Sequence, residues 1–535
     1  MKANKHLHQI INGTLVLSVA GLLAKVLGAI YRVPFQNLVG DTGYYAYQQI
    51  YPFYGIEVTL ALTGLPVFIS RLVAEQDNRQ DQLAVARLCR RLLCVAGLLI
   101  FAVLTLGSQL ISKMMGDTHL QAVILGLAPI FLLMPWLAVG RGVQRGMLNM
   151  YPTAISQVGE QVVRVTWIIG VAVIATTQRW NSYRMASWAM VSALVAGLVA
   201  FMILIYTNLP LWKNQQRHPS PLTKRQLTRR LLTEGVLLCW LASITVILQL
   251  VDSFTVKRAL VVAGGVSEAA AHASKGVFDR GQPLLQLGLV IATSLSATLL
   301  PSLSEKWHQG DRQTFVHTYR VLFHVCIMMA TMAAFGMMIL MPLINTFLFK
   351  NSRGSGALMV LMLAIPLAAL VSAFCAVLQS IHSLKPMAGG LFAGLIVKCC
   401  INYPLTRKWG IDGAAWGTVL SLLVTMIIVW QALPQLLRRH RHGGKFVGKL
   451  LTITAFMTVL AGGSASLMKC YFGGGRLQAA LVLLVAITIG AASAGWLVIR
   501  WHLLDDEELI ALPGGKRLVT MMTKDNKEND SNETR

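Results

Sequence analysis

Acidic side chains are scarce in this 535-residue chain, which has 22 Asp and Glu beside 47 Lys and Arg. Charged residues of either sign make up only 13% of the sequence, whereas soluble domains carry about 25%. Long apolar stretches such as 92–110 and 477–499 take their place, and each can cross about 30 Å of hydrocarbon as a helix. This composition excludes a soluble enzyme, a nucleic-acid-binding module and a disulfide-stapled secreted domain. It predicts a polytopic membrane protein.

Motifs of covalent and nucleotide chemistry are also missing. The sequence has no P-loop, GxGxxG, HExxH or GxSxG pattern, and its eight cysteines show no CxxC or Cys/His ligand spacing. We therefore expect a transporter without ATPase activity, cofactor or metal, driven by Na⁺, H⁺, the membrane potential or downhill substrate flow. The basic N-terminus precedes an apolar segment without a cleavage pattern, which predicts that the first helix is retained.

Apolar stretches of about 20 to 26 residues predict about fourteen membrane helices. Their ranges are 12–33, 44–69, 86–111, 119–144, 155–178, 184–207, 231–256, 278–303, 318–344, 356–381, 386–407, 412–436, 446–468 and 477–500. Basic clusters at 71–91, 213–230 and 438–441 fall on one side of this arrangement. Because basic loops stay in the cytoplasm, both termini are predicted to be cytoplasmic. The clusters are expected to contact anionic phospholipids rather than nucleic acid.

Three landmarks recur in the same order in the two halves. Residues 64–70 are matched by 299–304, the helix exit 143–146 by 378–381, and the helix opening 185–189 by 413–417. Such repetition indicates a duplicated helix bundle with a cavity between the copies. We predict an all-α fold with two six-helix bundles, related by a pseudo-two-fold axis along the membrane normal, and two further C-terminal helices. The predicted parts are 1–210 (N-terminal bundle), 211–230 (cytoplasmic basic linker), 231–436 (C-terminal bundle), 437–500 (helices 13 and 14) and 501–535 (cytoplasmic tail, mobile from Asp505).

Several local motifs resemble one superfamily of exporters. The first predicted helix contains Lys25-Val26-Leu27-Gly28 and Arg32, the eighth contains Asp279-Arg280 and the run 299–304, and residues 410–415 read Gly-Ile-Asp-Gly-Ala-Ala. Together they resemble the multidrug/oligosaccharidyl-lipid/polysaccharide (MOP) exporter superfamily. Within it, the chain is similar to SpoVB/YtgP-like polysaccharide biosynthesis proteins, which are related to MurJ-type lipid II flippases.

The chain departs from the MurJ-type pattern at three points. Lys25 stands where those flippases commonly carry arginine, Arg32 falls one residue late, and Glu57 lies where they carry further arginine. The SpoVB/YtgP-like branch is therefore the closer match. The resemblance implies an alternating-access flippase in the bacterial plasma membrane that moves an undecaprenyl-pyrophosphate-linked cell-wall precursor, with lipid II for peptidoglycan synthesis as the first candidate. The polyprenyl tail would lie in a groove beside helices 13 and 14.

Other functions stay open at this point. Another lipid-linked oligosaccharide, such as a capsule or teichoic-type repeat unit, would suit the same fold. A drug/cation antiporter would instead show an acidic cavity and twelve helices. A scaffold that recruits cell-wall synthases would tolerate loss of the cavity charges. We expect a monomer, with cell-wall synthases as candidate partners.

Charges at predicted membrane depth are few, and each is expensive unless it faces a partner or a wet cavity. They are Lys25, Arg32, Glu57, Arg164, Asp252, Lys257, Arg258, Asp279, Arg280 and Lys398. Because a guanidinium binds phosphate oxygens through two parallel hydrogen bonds, the flippase resemblance predicts Arg280, Arg32 and then Lys25 as pyrophosphate ligands. Glu57, Asp279 and Lys398 are predicted as further cavity charges, and Lys257 as a rim charge.

Three pairings stay open for these groups. Asp252 is a candidate cation-coupling site with oxygens from Asn402 and Thr418, and a salt bridge from Asp252 to Lys398 is the equal alternative. An ion pair with Glu57 is the alternative for Lys25. Glu160 and Arg164, one helical turn apart, are expected to neutralise each other. The tyrosines between 44 and 54 predict an interfacial belt or a platform for sugar rings.

Overall fold

The computed structural model describes residues 2–207, 220–264, 266–439, 444–472 and 475–510. Within these ranges the chain is helical and forms no strand, which confirms the predicted all-α fold. Thirteen helices in the described part are long and apolar enough to cross a membrane. The predicted count of fourteen and the two-bundle arrangement remain predictions.

The helices have the following bounds. In the first half they are α1 Lys2–Ile30, α2 Arg32–Gln48, α3 Tyr51–Val58, α4 Gly64–Ala74, α5 Arg79–Leu106, α6 Ser108–Met114, α7 Gln121–Leu127, α8 Ile130–Gly146, α9 Tyr151–Thr177 and α10 Ser182–Thr207. In the second half they are α11 Lys224–Arg230, α12 Val236–Gly264, α13 Glu268–Asp279, α14 Gly281–His308, α15 Arg312–Phe349, α16 Ser355–Met362, α17 Ala364–Ser380, α18 Leu384–Gln431, α19 Gln435–Arg439, α20 Gly444–Phe472, α21 Arg476–Arg500 and α22 Asp506–Ile510.

Two glycines with positive φ interrupt long helices. Gly40 in α2 has φ 72° and ψ −178°, and Gly410 in α18 has φ 61° and ψ −142°. Residues with a side chain rarely adopt this backbone conformation. Gly410 lies between the predicted spans 386–407 and 412–436, as expected for a boundary. Gly40 lies in a predicted loop that proves to be helical on both sides of the break.

The predicted span 44–69 is not one regular helix. A π-helical turn, Thr59–Thr63, joins α3 to α4. Two guanidinium groups of α8 bind carbonyl oxygens of this turn: Arg141 donates to Ala61 at 3.2 Å and Arg145 donates to Leu62 at 3.0 Å. Such turns are rare and occur frequently at functional sites. The segment is therefore a candidate position for a change of helix shape.

The described residues divide into two compact units. The first unit comprises those within 1–283 and 395–417, and the second comprises those within 284–394 and 418–535. One boundary between them falls at the start of α14, and the predicted bundles 1–210 and 231–436 stay predictions. Close helix packing holds the first unit together. A Cβ added to Gly55 would lie 2.7 Å from a Val246 side-chain carbon, and one added to Gly64 would lie 2.8 Å from the Cα of Cys239. The helix α12 thus packs directly on α3 and α4.

The end of the predicted linker is helical and bound to the first unit. A capping box at Thr223 begins α11. At its other end, Arg230 donates to the two carboxylate oxygens of Glu75 at 2.6 and 2.8 Å. These hydrogen bonds hold the pKa of the Glu75 carboxyl below its usual range. Residues 208–219 of the linker lie outside the described ranges.

The start of the predicted tail packs on the second unit. His324 Nδ1 of α15 lies 2.7 Å from Glu508 Oε1 of α22. Apolar residues around this pair join a core formed by α15, α20 and α21. They are Leu503, Leu504 and Leu509. The predicted mobility from Asp505 is therefore wrong for Glu508 and Leu509, because both are buried. Residues 511–535 lie outside the described ranges.

Candidate functional site

Arg32, at the start of α2, is a buried cation without a hydrogen-bonded anion. The residue is 0% exposed, and its guanidinium carbon lies 4.4 Å from the centre of the Tyr51 ring. Its Nε and both terminal nitrogens are buried and have no hydrogen-bond partner in the described part of the chain. A cation–π contact offsets only part of the cost of burying a charge. An anion would complete this site.

Arg164 on α9 is engaged by tyrosines. It donates to the hydroxyl of Tyr31 at 3.0 Å and to that of Tyr47 at 3.1 Å. Its guanidinium carbon also lies 5.6 Å from the centre of the Tyr51 ring, so Arg32 and Arg164 share that aromatic neighbour. Tyr31 and Tyr47 are buried, and the burial of Tyr47 does not fit the predicted interfacial belt to which it was assigned. They are part of a polar interior in the first unit.

Glu57 on α3 is a buried carboxyl group. It is 0% exposed, and neither carboxylate oxygen has a hydrogen-bond partner among the described residues. The alternative ion pair between Lys25 and Glu57 is therefore absent from these residues. The expected pair of Glu160 with Arg164 is wrong, because Glu160 accepts from Arg141 of α8.

Arg280, predicted first among the pyrophosphate ligands, is paired inside the protein. It is buried and donates to a carboxylate oxygen of Asp41, to which Gln36 donates at 2.7 Å. A Cβ added to Gly276 would lie 2.2 Å from the Asp41 carbonyl oxygen, so α13 packs against this segment of α2. Asp41 follows the helix break at Gly40, which places its carboxylate at Arg280. An anionic substrate would have to compete with Asp41.

Two more predicted residues have quite different environments. Asp279 is buried and accepts at 2.5 Å from the ammonium group of Lys275, one turn earlier on α13. Lys25, the third predicted pyrophosphate ligand, is exposed on α1. The structure therefore does not bring Lys25 into the buried group that contains Arg32.

Asp252 on α12 is the centre of a buried network. Lys398 Nζ donates to one carboxylate oxygen at 2.8 Å, and Asn402 Nδ2 donates to the other at 3.0 Å. The structure thus shows the salt-bridge alternative, with nitrogen donors instead of the oxygens that coordinate an alkali cation. Thr418 is buried and belongs to the second unit. Cation coupling at Asp252 remains a prediction.

A second polar cluster, centred on Asp117, was not predicted. Tyr45 and Tyr183 donate to one carboxylate oxygen at 3.0 and 2.7 Å, and His272 Nε2 of α13 lies 3.4 Å from the same oxygen. Lys257, predicted as a rim charge, is buried and donates to the carbonyl of the residue before Asp117. These contacts connect α12 and α13 to the earlier helices of the first unit.

Sequence reasoning missed four of these charged residues. Arg141 lies inside the predicted span 119–144, so its depth alone was a signal that could have found it. The other three fall in predicted loops, where a charged residue is not unusual and does not indicate a site. They are Asp41, Asp117 and Lys275.

The second unit contains an apolar groove of about 520 Å³. Its walls come from α15, α20 and α21, and Leu509 of α22 adds to them. Other lining residues include Met328, Met332, Met457 and Ala486. Methionine side chains adapt to irregular apolar partners. The groove lies beside the two helices that the sequence predicted as helices 13 and 14.

The sequence pattern of the family described as polysaccharide biosynthesis protein matches residues 10–307. The chain belongs to this family. A Bacillus subtilis (strain 168) relative, named uncharacterized membrane protein YabM, is 33% identical over 525 residues, which cover 97% of each chain. Stage V sporulation protein B of the same organism is 26% identical over 95% of this chain and 98% of its own. Its lipid II flippase MurJ is 23% identical over 90% of this chain and 94% of its own.

Solved structures show the fold of this polysaccharide biosynthesis family member. Lipid II flippase MurJ in an inward closed conformation matches with a TM-score of 0.69 at 14% identity, over 91% of this chain and 99% of that chain. An inward-facing multidrug resistance MATE transporter of the MOP superfamily matches with a TM-score of 0.59 at 15% identity, over 78% and 96%. The chain therefore has the fold that its resemblance to the MOP superfamily predicted. The chain is a multi-pass protein of the bacterial membrane.

Proposed function

We propose that the protein is a flippase that moves an undecaprenyl-pyrophosphate-linked cell-wall precursor from the inner to the outer leaflet by alternating access. The buried guanidinium of Arg32 is the observation that supports this function best. None of its nitrogens has a hydrogen-bond acceptor in the described ranges. A buried cation that lacks an anion suits a site that is completed by an anionic substrate.

A pyrophosphate group fits Arg32 in geometry as well as in charge. The planar guanidinium offers two parallel charge-assisted hydrogen bonds to phosphate oxygens. The Tyr51 ring, 4.4 Å from the guanidinium carbon, restricts the orientation of that plane. Arg164 near the same ring adds positive potential while its own donors are bound to tyrosine hydroxyls.

The lipid part of the substrate needs an apolar surface. The groove of about 520 Å³ in the second unit, which methionine and alanine side chains line, has this character. We propose that it holds part of the polyprenyl tail. Burial of each methylene group contributes about 0.8 kcal/mol, so even a short stretch of tail would add substantially to affinity.

Lipid II is the substrate that we propose first. Two proteins with the name lipid II flippase MurJ are similar to this chain, one of Bacillus subtilis in sequence and one of solved structure in fold. Other lipid-linked oligosaccharides, such as capsule or teichoic-type units, share the pyrophosphate and the polyprenyl chain, so Arg32 and the groove would serve them equally. An antiporter of organic cations is a weaker candidate, because a buried cation without an anion repels such substrates.

Depletion of the protein in a cell without a redundant flippase tests this function. We expect lipid II to accumulate on the inner leaflet, where enzymatic labelling of inner- and outer-leaflet precursor pools would measure it. Accumulation of a capsule or teichoic-type precursor instead would identify the alternative substrate. Normal distribution of every lipid-linked precursor would refute the proposal.

The positive-inside pattern predicts the orientation. Single cysteines introduced at Asp77 and Arg438, in a variant without the eight native cysteines, should react with membrane-impermeant maleimide only after the cells are opened. A cysteine at Lys350 should react in intact cells. The reversed pattern would show that the charge distribution does not set the topology.

A further inference from the structure

We propose that Glu57 is the proton-binding site through which a proton gradient drives substrate movement. The coupling step rests on the proposed function, whereas proton binding itself does not. Glu57 is 0% exposed, and both of its carboxylate oxygens lack a hydrogen-bond partner in the part of the chain that the structure describes. A buried carboxyl group in this situation either carries a proton or draws a cation towards it.

The cations that act on Glu57 are bound to other groups. Arg141 of α8 donates to Ser156 and to the Ala61 carbonyl, each at 3.2 Å, and also to Glu160. Two charged groups of α9, Glu160 and Arg164, also act on Glu57.

The remaining neighbours add no donor to Glu57. Arg164 of α9 donates to two tyrosine hydroxyls and lies 3.9 Å from the ring centre of Tyr54, the titratable neighbour on α3 itself. From α12, Val246 packs on the glycine that lies two residues before Glu57. A proton on Glu57 therefore suits the observed arrangement, in which each arginine keeps its present partners.

The same arrangement gives the proton an effect on helix shape. Loss of the proton would leave a buried carboxylate that competes with Glu160 for Arg141. Because Arg141 also donates to the Ala61 carbonyl in the π-helical turn Thr59–Thr63, movement of its guanidinium would release one of the two arginine hydrogen bonds to that turn and leave the one from Arg145. The proton comes from water on one side of the membrane and returns to water on the other side. No other bond is made or broken.

Infrared spectra of the purified full-length protein, compared between the wild type and its variants, test proton binding without any substrate. The wild-type protein should show the C=O stretch of a buried protonated carboxyl group, and Glu57→Gln should lose it. Glu75→Gln is the matched control, because Glu75 lies in the same unit but is exposed and bound to Arg230, and it should keep the band. Absence of the band from the wild type, or its persistence in Glu57→Gln, would refute the inference.

Transport in vesicles tests the coupling. An imposed pH gradient should accelerate flipping of the lipid-linked precursor severalfold in the wild type and in Glu75→Gln, and this acceleration should be lost in Glu57→Gln. If Glu57→Gln responds to the gradient like the wild type, or if the wild type does not respond, coupling through Glu57 is wrong while the flippase function stands. If the wild type flips no precursor, the proposed function fails, and the infrared result still decides whether Glu57 binds a proton.

Discussion

Replacement of Arg32 by alanine should abolish flipping of the lipid-linked precursor in reconstituted vesicles at unchanged protein abundance. A hydrogen bond to a charged group contributes about 1.5–3 kcal/mol, or roughly 10- to 150-fold in substrate occupancy. Arg32→Lys should retain only part of the activity, because lysine keeps the charge but loses the planar fork and the stacking on Tyr51. An Arg32→Ala protein that flips at the wild-type rate would show that the anion binds elsewhere.

Replacement of Arg32 by an apolar residue should lower flipping activity and raise stability. Because the Arg32 cation is buried without an anion, Arg32→Met should stabilise the substrate-free protein by about 1–3 kcal/mol while it abolishes flipping. Arg184 is the matched control, since it is exposed and lies 4.4 Å from the centre of the Trp180 ring. Arg184→Met should change neither flipping nor the thermal midpoint. A lower midpoint for Arg32→Met would show that Arg32 has a structural role.

Replacement of Lys398 by methionine should destabilise the protein by about 3–5 kcal/mol, because removal of one partner leaves the other charge buried and unpaired. Among the described residues, Asp252 would then keep the amide of Asn402, 3.0 Å away, as its hydrogen-bond donor. The double variant Asp252→Asn, Lys398→Met leaves no charge at either position, and it should regain most of the stability that Lys398→Met loses. Thermal unfolding of the purified proteins measures both effects.

A lysine on the same helix serves as the control. Lys408 is exposed on α18, and Lys408→Met should alter stability by no more than about 0.5 kcal/mol. Measurements in sodium and in potassium chloride also test the predicted coupling site. Sodium-dependent stabilisation of the wild type would contradict a carboxylate already occupied by Lys398, whereas the same effect only in Lys398→Met would show that the ammonium group takes the place of a cation.

Helix positions were predictable where the signal is local. The predicted span 86–111 covers most of α5 and the start of α6, and 155–178 covers most of α9, because length and apolar composition define a membrane helix within one segment. The helical continuation through residues 34–39 was not predicted. This segment is too polar for a span, and its Phe35 is buried in the core of the first unit, where its ring contacts those of Tyr44 and Tyr47. Tertiary packing thus overrode composition there.

Ion-pair partners were less predictable than the charges themselves. Glu160 and Arg164 satisfy the local rule for a pair one helical turn apart, yet each binds residues from other helices. The motif around Arg280 drew attention to that residue, but its partner Asp41 lies 239 positions earlier, in a predicted loop. Sequence shows which charges are expensive in a membrane, and the packing of distant helices decides how each is compensated.

The packing of α22 has a consequence for the order in which the molecule is made. Leu509 of this helix lines the apolar groove, together with residues of α15, α20 and α21. Residues 503–510 are synthesised after those three helices. A nascent chain that ends before Leu503 therefore lacks Leu509 in the lining of the groove and the Glu508 carboxylate beside His324. The proposed lipid site becomes complete only after these residues have been added.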